Sequence, residues 1–521
     1  VLPDTLTKIG GYAFYGCESL TDINLGNVVQ FNDFALAGTS IGSVTLSSGL
    51  THVGAGVFAG CANVEEIAVR AGSSEYRSVS GVLYNADNEI VAYPSGKVPE
   101  GGVLTITADM GVGEGAFAGC TGISEVIIEE GITVIGNYAF YDSAVKKVTL
   151  PSTVTEIGQY AFAYSDVAEI ALPSTLTEIG QYAFAYSALK SVTVPESVST
   201  MGEYAFAYSM LESATLQGSY FVTHMFDGCG QLSQVTIAEG ATSIAAYMFQ
   251  DCYSLTEISI PESVTNISTY SFAGSGLKNF VVEERFEWVG DYAFANSALE
   301  SVTIKQDMYT SGMYGKQESK YVFSGCANLS EVTVAEGVTV IVASAFENCT
   351  ALKSVYALGA DGVVRGEEEK TTFPESLTGI GTNAFKGTGF TIFTLPANVN
   401  SLESGAFANC TALKSVVLPE TIDDISGTLF EGCTALESVT LPAGVTQIYN
   451  GAFNGCTAIR EFVIPASIAN VVSPFAGWTA EQTIYIAVSE AETLQWWNAN
   501  WRDDCNAKIV FESTGPSAAE A

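Results

Sequence analysis

The 521-residue sequence holds two histidines, His52 and His224, and only 20 Lys plus Arg against 57 Asp plus Glu. So little imidazole removes most routes to general-base catalysis and to histidine-ligated metal. The formal net charge of -37 repels phosphate backbones and anionic lipid headgroups, which makes nucleic acid and membrane surfaces poor candidate partners. No apolar run reaches the ~18 residues of a membrane-spanning helix. The opening residues, Val1-Leu2-Pro3-Asp4, lack the basic start and apolar stretch of an export signal. What the chain does have is apolar mass: 47% hydrophobic residues with 15% charged, enough for a large core and too little charge for a disordered acidic tail.

That mass is distributed as a repeat. PSTVTEIGQYAFAYSDVAEIAL at 151-172 and PSTLTEIGQYAFAYSALKSVTV at 173-194 agree at 14 of 22 positions, and PESVSTMGEYAFAYSMLESATL follows at 195-216. The Phe of the Ala-Phe pair marks each unit, from Phe14 through Phe162, Phe184 and Phe206 to Phe475, with Leu36 in the one vacant slot. These anchors count 19 turns, spaced mostly by 20 to 23 residues, with three longer gaps for insertions. Each unit opens on a short alternating strand, as in Leu189-Lys190-Ser191-Val192-Thr193-Val194, closed by Pro195. Gly158 and Gly180 are expected to permit a tight backbone after it. So short a unit cannot bury its own apolar face, so the coils must stack.

The I-G-x-Y-A-F core (Ile157 to Phe162, Ile179 to Phe184), the Cys or Ser three residues after the Phe, and the L-x-x-V-x-L-P strand resemble the BspA-like leucine-rich repeats of bacterial surface proteins and some protist ones. The resemblance covers almost the whole chain. It implies a leucine-rich repeat solenoid of α/β type, mostly parallel β-sheet with an irregular or short-helical convex side, spanning 1-473. The run from Glu75 to Pro94 reads as an inserted β-hairpin (about 75-100), a feature this family shares. Two further insertions, around Lys305 to Tyr321 and Gly359 to Thr372, read as surface loops, the second carrying Glu367-Glu368-Glu369. Four of the five tryptophans follow Phe475, and 474-511 reads as a C-terminal cap on the last open edge, with 512-521 a flexible tail. Leu2-Pro3 enters at mid-repeat, so the natural chain is expected to begin earlier.

Ten of the eleven cysteines share the column three residues after the anchor, where other units hold Ser143, Ser165, Ser187, Ser209 or Thr388. A small buried residue is what the column needs, and free thiols are expected, with no metal and no cofactor. Gly38-Thr39-Ser40-Ile41-Gly42 matches a nucleophile elbow only formally, since it opens no helix and only His52 and His224 are conceivable bases. No catalytic residue is assigned, and the chain is read as a non-enzyme.

Binding is expected on the exposed side of the sheet, through Glu125, Lys147, Glu169, Ser191, Ser213, Gln234, Glu257 and Tyr356. An alternative is a tyrosine stripe, Tyr164, Tyr186 and Tyr208, beside an inner column (Tyr138, Tyr160, Tyr182, Tyr204) in which His224 is an aromatic filler. The resemblance implies an extracellular or bacterial cell-surface, adhesin-like binding protein whose partner is a host or neighbouring-cell surface protein or glycan. Competing readings are a passive structural spacer of the cell envelope and a polysaccharide-binding accessory module.

Overall fold

A computed structural model describes residues 2–312, 315–365 and 371–515. Each repeat makes one coil of three segments. The first is a strand: Ser191–Val194 exposes Ser191 and Thr193 and buries the β-branched Val192 and Val194. It pairs in parallel with Ser213–Leu216, which pairs with Gln234–Ile237, so Ser191, Ser213 and Gln234 share one row. The second is a two-residue strand, and Val134–Ile135, Glu156–Ile157, Glu178–Ile179 and Thr200–Met201 form another parallel ladder.

The third segment carries the anchor. The N–H groups of Tyr160, Phe162 and Tyr164 donate to the carbonyls of Gln181, Ala183 and Ala185 in the next coil, at 3.0, 2.7 and 2.9 Å. Backbone polar groups on this side are thus satisfied between coils. Two residues of the segment, two before and two after the Phe, are left-handed: Tyr160 and Tyr164 at φ 52° and 60°, Tyr182 and Tyr186 at 55° and 57°. A left-handed residue every few positions is incompatible with a right-handed helix. The side expected to be irregular or short-helical is therefore built of turns. Among the described residues, helix is confined to a single 3-10 turn, Glu100–Gly102, and the α-helix Glu490–Trp496, which Ser489 and Glu492 close with a reciprocal capping box.

Inside the coils the anchors stack. Phe117, Phe140, Phe162, Phe184 and Phe206 are fully buried, with successive ring centroids 5.0, 5.0, 5.0 and 5.2 Å apart. That interval is the parallel-strand spacing of about 4.8 Å, and each buried ring contributes about 2–3 kcal/mol. Gly158 and Gly180 serve a different purpose from the one expected. Neither has positive φ, but a Cβ on Gly180 would lie 2.4 Å from the Gln159 amide nitrogen, so glycine is needed for the approach of neighbouring coils.

The chain divides into two compact units, Val1–Val264 and Thr265–Ala521. In the first, Tyr76–Val79, Val82–Asn85 and Glu89–Ala92 form an antiparallel meander whose last strand joins the short-strand ladder beside Gly111–Val112. Tyr93 follows it, buried, with its ring 5.6 Å from Phe117. Ser95 donates to the Phe58 carbonyl and Cys120 to the Tyr93 carbonyl. A shortened coil with Tyr93 as its anchor thus lies between Phe58 and Phe117, one that counting phenylalanines passes over.

In the second unit the long strands include Ser301–Ile304, Glu331–Ala335 and Ser354–Leu358, paired in parallel. The first insertion holds an antiparallel pair, Tyr309–Gly312 with Gly315–Glu318. Glu367-Glu368-Glu369 of the second lie outside the described residues. Beyond Phe475 the ladder continues from Glu461–Ile464 into Thr483–Ile486 and Lys508–Phe511. Trp478, three residues after Phe475, is fully buried and donates its indole N–H to the Phe453 carbonyl at 2.9 Å.

Candidate functional site

Parallel pairing at fixed register sets the outward side chains in rows. Glu125, Lys147 and Glu169 occupy one row in successive coils, and the Lys147 ammonium lies 3.1 Å from the Glu125 carboxylate. That hydrogen bond and the opposite charge hold the Lys147 pKa above its ordinary value. Ser191, Ser213 and Gln234 continue the pattern. Glu257 joins Gln234 around a shallow hollow of about 570 Å³ that Thr236 and Ser259 also line. Tyr356 belongs to the second unit and pairs with Thr333, and Glu257 lies in no strand. Two further lysines on this side are matched by glutamates one coil away: Lys190 with Glu212 at 3.0 Å, and in the second unit Lys278 with Glu300 at 2.8 Å.

The tyrosine stripe is also assembled. Tyr164, Tyr186 and Tyr208 are 41 to 47% exposed, and their rings stack face to face at 4.6 and 4.8 Å. The outer face of Tyr208 is covered by Gly228, where a Cβ would lie 2.2 Å from the ring. Rings so stacked offer solvent their edges and hydroxyls, whereas a sugar stacks on a free face. His224 fills the inner column between Tyr204 and Tyr247, at 4.1 and 4.3 Å. Its Nδ1 lies 2.8 Å from Asp227, whose carboxyl is pushed up by burial and drawn back by His224.

All eleven cysteines are free thiols. Nine of the ten in the shared column are buried. Cys17, expected to be buried with them, is exposed. The buried thiols of Cys410, Cys433 and Cys456 donate to the anchor carbonyls of the preceding coils, Phe385, Phe407 and Phe430, at 3.1 to 3.2 Å. The hydroxyls of Ser165 and Ser187 bond the anchor of their own coil, both at 2.7 Å. Burial raises the thiol pKa of Cys120 and Cys456 to about 12, so these sulfurs are protonated and inert at neutral pH. Among the described residues no three His, Cys, Asp or Glu side chains converge as metal ligands.

One feature lay beyond sequence reasoning. In the coils of Phe58 and Phe117 both left-handed positions are glycine: Gly56, Gly60, Gly115 and Gly119. The shortened Tyr93 coil lets these pairs meet, and a Cβ on Gly115 would lie 2.0 Å from the Gly56 nitrogen. Aromatic rings from either side close over the gap: Phe34 reaches Tyr138 and Tyr141, each at 5.5 Å and at 80° and 65°. The signal for it is glycine at both positions of two units, flanked by aromatic residues.

Stacked coils with parallel strands and a buried anchor per turn define a leucine-rich repeat solenoid. The family model for the BspA type leucine rich repeat region, in six copies, matches residues 1–85, 110–212, 213–315 and 367–475, and the chain belongs to that family. Among solved structures, a leucine-rich repeat protein from Bacteroides ovatus is 22% identical, covering 84% of this chain and 97% of its own, with a TM-score of 0.55. A leucine rich cell surface protein from Faecalibacterium prausnitzii is 21% identical over 81% of this chain and 97% of its own, with a TM-score of 0.33. No curated protein matches the chain.

Proposed function

We propose that the chain is a non-enzymatic binding protein, secreted or displayed at a bacterial cell surface, that engages a protein or glycan of a host or neighbouring cell in the manner of an adhesin. The observation that carries this reading is the in-register row from Glu125 through Lys147 and Glu169, which offers a partner regularly spaced charges on a rigid ladder. Family membership supports it, as does the acidic charge, which disfavours polyanionic partners.

The test is an array of extracellular-matrix proteins and glycans probed with the chain. A saturable hit, weakened at least tenfold in Glu169→Lys and Glu257→Lys, is the expected result; a hit unchanged by both reversals would place binding elsewhere. The passive-spacer reading has one observation in its favour: three lysines on the strand side, Lys147, Lys190 and Lys278, are already matched within the molecule by Glu125, Glu212 and Glu300. Absence of any hit at low and high salt would favour it.

A further inference from the structure

The rings that meet over Gly56 and Gly115 line a half-open hollow of about 290 Å³ in the first unit. Its size is at the lower end for ligand pockets, suited to a small headgroup. Aromatic side chains alone line it, chiefly Tyr12, Tyr15, Phe34, Tyr138 and Tyr141. Unlike the stripe, these rings do not form one stack. Tyr12 stacks on Phe34 at 5.4 Å and Tyr138 on Tyr160 at 5.0 Å, but the two pairs meet nearly at right angles, and Tyr15 is inclined 58° to Tyr12. Walls set at such angles surround a guest.

The surroundings are acidic. Asp33 acts through its charge on both Tyr12 and Tyr138, Glu114 on Tyr138, and Asp142 on Tyr141. The Asp33 carboxylate is fixed by the Ala55 amide at 2.9 Å. Among the described residues no lysine or arginine lines the hollow.

We propose that this hollow is an aromatic cage for a methylated ammonium group. Ring faces carry negative quadrupole charge that attracts a cation, and the carboxylates behind them add a field of the same sign. A primary ammonium would lose its hydration with no carboxylate on the wall to accept its N–H groups, whereas a methylated one is weakly hydrated and needs only the rings. The cage lies on the turn side, apart from the strand rows, and stands or falls independently of the function proposed for them.

The test is titration of the chain with tetramethylammonium chloride, followed by tyrosine ring chemical shifts, against its neutral isostere neopentane carried as 3,3-dimethylbutan-1-ol. Saturable binding of the cation, at least tenfold tighter than of the alcohol, is expected. Tyr141→Leu and Tyr15→Leu should each weaken it at least fivefold, Tyr141→Phe should retain it, and Tyr186→Leu, outside the hollow, should leave it unchanged. Equal binding of cation and alcohol, no saturation, or full affinity in both leucine variants would overturn the proposal, and preferential binding of a monosaccharide would replace it. A second arm compares a trimethyl-lysine peptide with phosphocholine: tighter binding of the first points to a protein-borne cation, of the second to a headgroup.

Discussion

The coils at 138–209 in the first unit and those at 383–456 in the second meet the same backbone demand with different residues. Both place left-handed residues two before and two after a buried Phe. The first group fills those positions mostly with tyrosine, the second with Asn383, Gly387, Gly405, Asn409, Thr428 and Gly432. Glycine and asparagine adopt the conformation at little cost. Tyrosine does not, and a cost of ~1 kcal/mol or more is offset by ring contact on both sides, at 4.6 and 4.8 Å for Tyr186. The small column differs too: the hydroxyls of Ser165 and Ser187 close their own turns in the first group, while the thiols of Cys410 and Cys433 in the second reach across to the preceding coil. A longer C–S bond suits the longer reach. A backbone conformation can thus be met by intrinsic permissiveness or by cooperation between neighbours.

The anchors are common to both groups, so Phe162→Ala and Phe430→Ala should each cost about 3–5 kcal/mol in urea unfolding; a small loss at only one would show that the groups differ in core as well as surface. Gly432→Val should cost about 3 kcal/mol, because it forces a β-branched residue into φ 73° and sets a Cβ 2.2 Å from the Asn409 side-chain oxygen. Tyr186→Asn, measured alongside, should lose less, since it exchanges ring contact for a residue at ease in that conformation.

Alkali should separate the groups. Cys456 stays protonated to about pH 12 when folded but ionises near 9 when unfolded. Its contribution is therefore intact below pH 9 and lost as pH rises toward 12, at up to about 1.4 kcal/mol per pH unit. Tyr141 and Tyr208, also raised to about 12 from 10, bring the tyrosine coils into decline one unit later. Urea midpoints from pH 8 to 10.5 should fall from pH 9, and Cys456→Ser should remove part of that fall. The smallest effects belong to the column itself: Ser187→Ala should cost about 1 kcal/mol, and Cys433→Ser no more, because the new hydroxyl can turn to its own Phe430 carbonyl.

Much of this was legible in the primary structure. The spacing of Phe162, Phe184 and Phe206 gave the coil, alternation in Ser191 to Val194 gave the strand, and the interchange of Cys433 with Ser187 identified a column chosen for size. Leu36 was placed correctly for the same reason, since an anchor slot requires only an apolar side chain. The left-handed positions were harder to see, because tyrosine is an unusual occupant and its stacking partner lies 22 residues away. Tyr93 was hidden because its coil lacks the turn by which the others are recognised. The aromatic hollow is hidden for a related reason: it depends on the missing turn, which brings Gly56 and Gly115 together and leaves Phe34 and Tyr138 in reach across two coils. Which outward residues meet a partner is not encoded in periodicity, since a Thr or Glu there satisfies the strand whatever it touches.

The shared length of 151–172 and 173–194 and their agreement at 14 of 22 positions, combined with register that advances by one whole unit per coil, have a genetic corollary. Loss of residues 173–194 would join Leu172 to Pro195 with every ladder in phase and bring Phe206 onto Phe162. Duplication would add a coil as smoothly. Length in this molecule is therefore a quantity that recombination between tandem copies can adjust in whole steps, altering how far a surface extends without redesigning what holds it together.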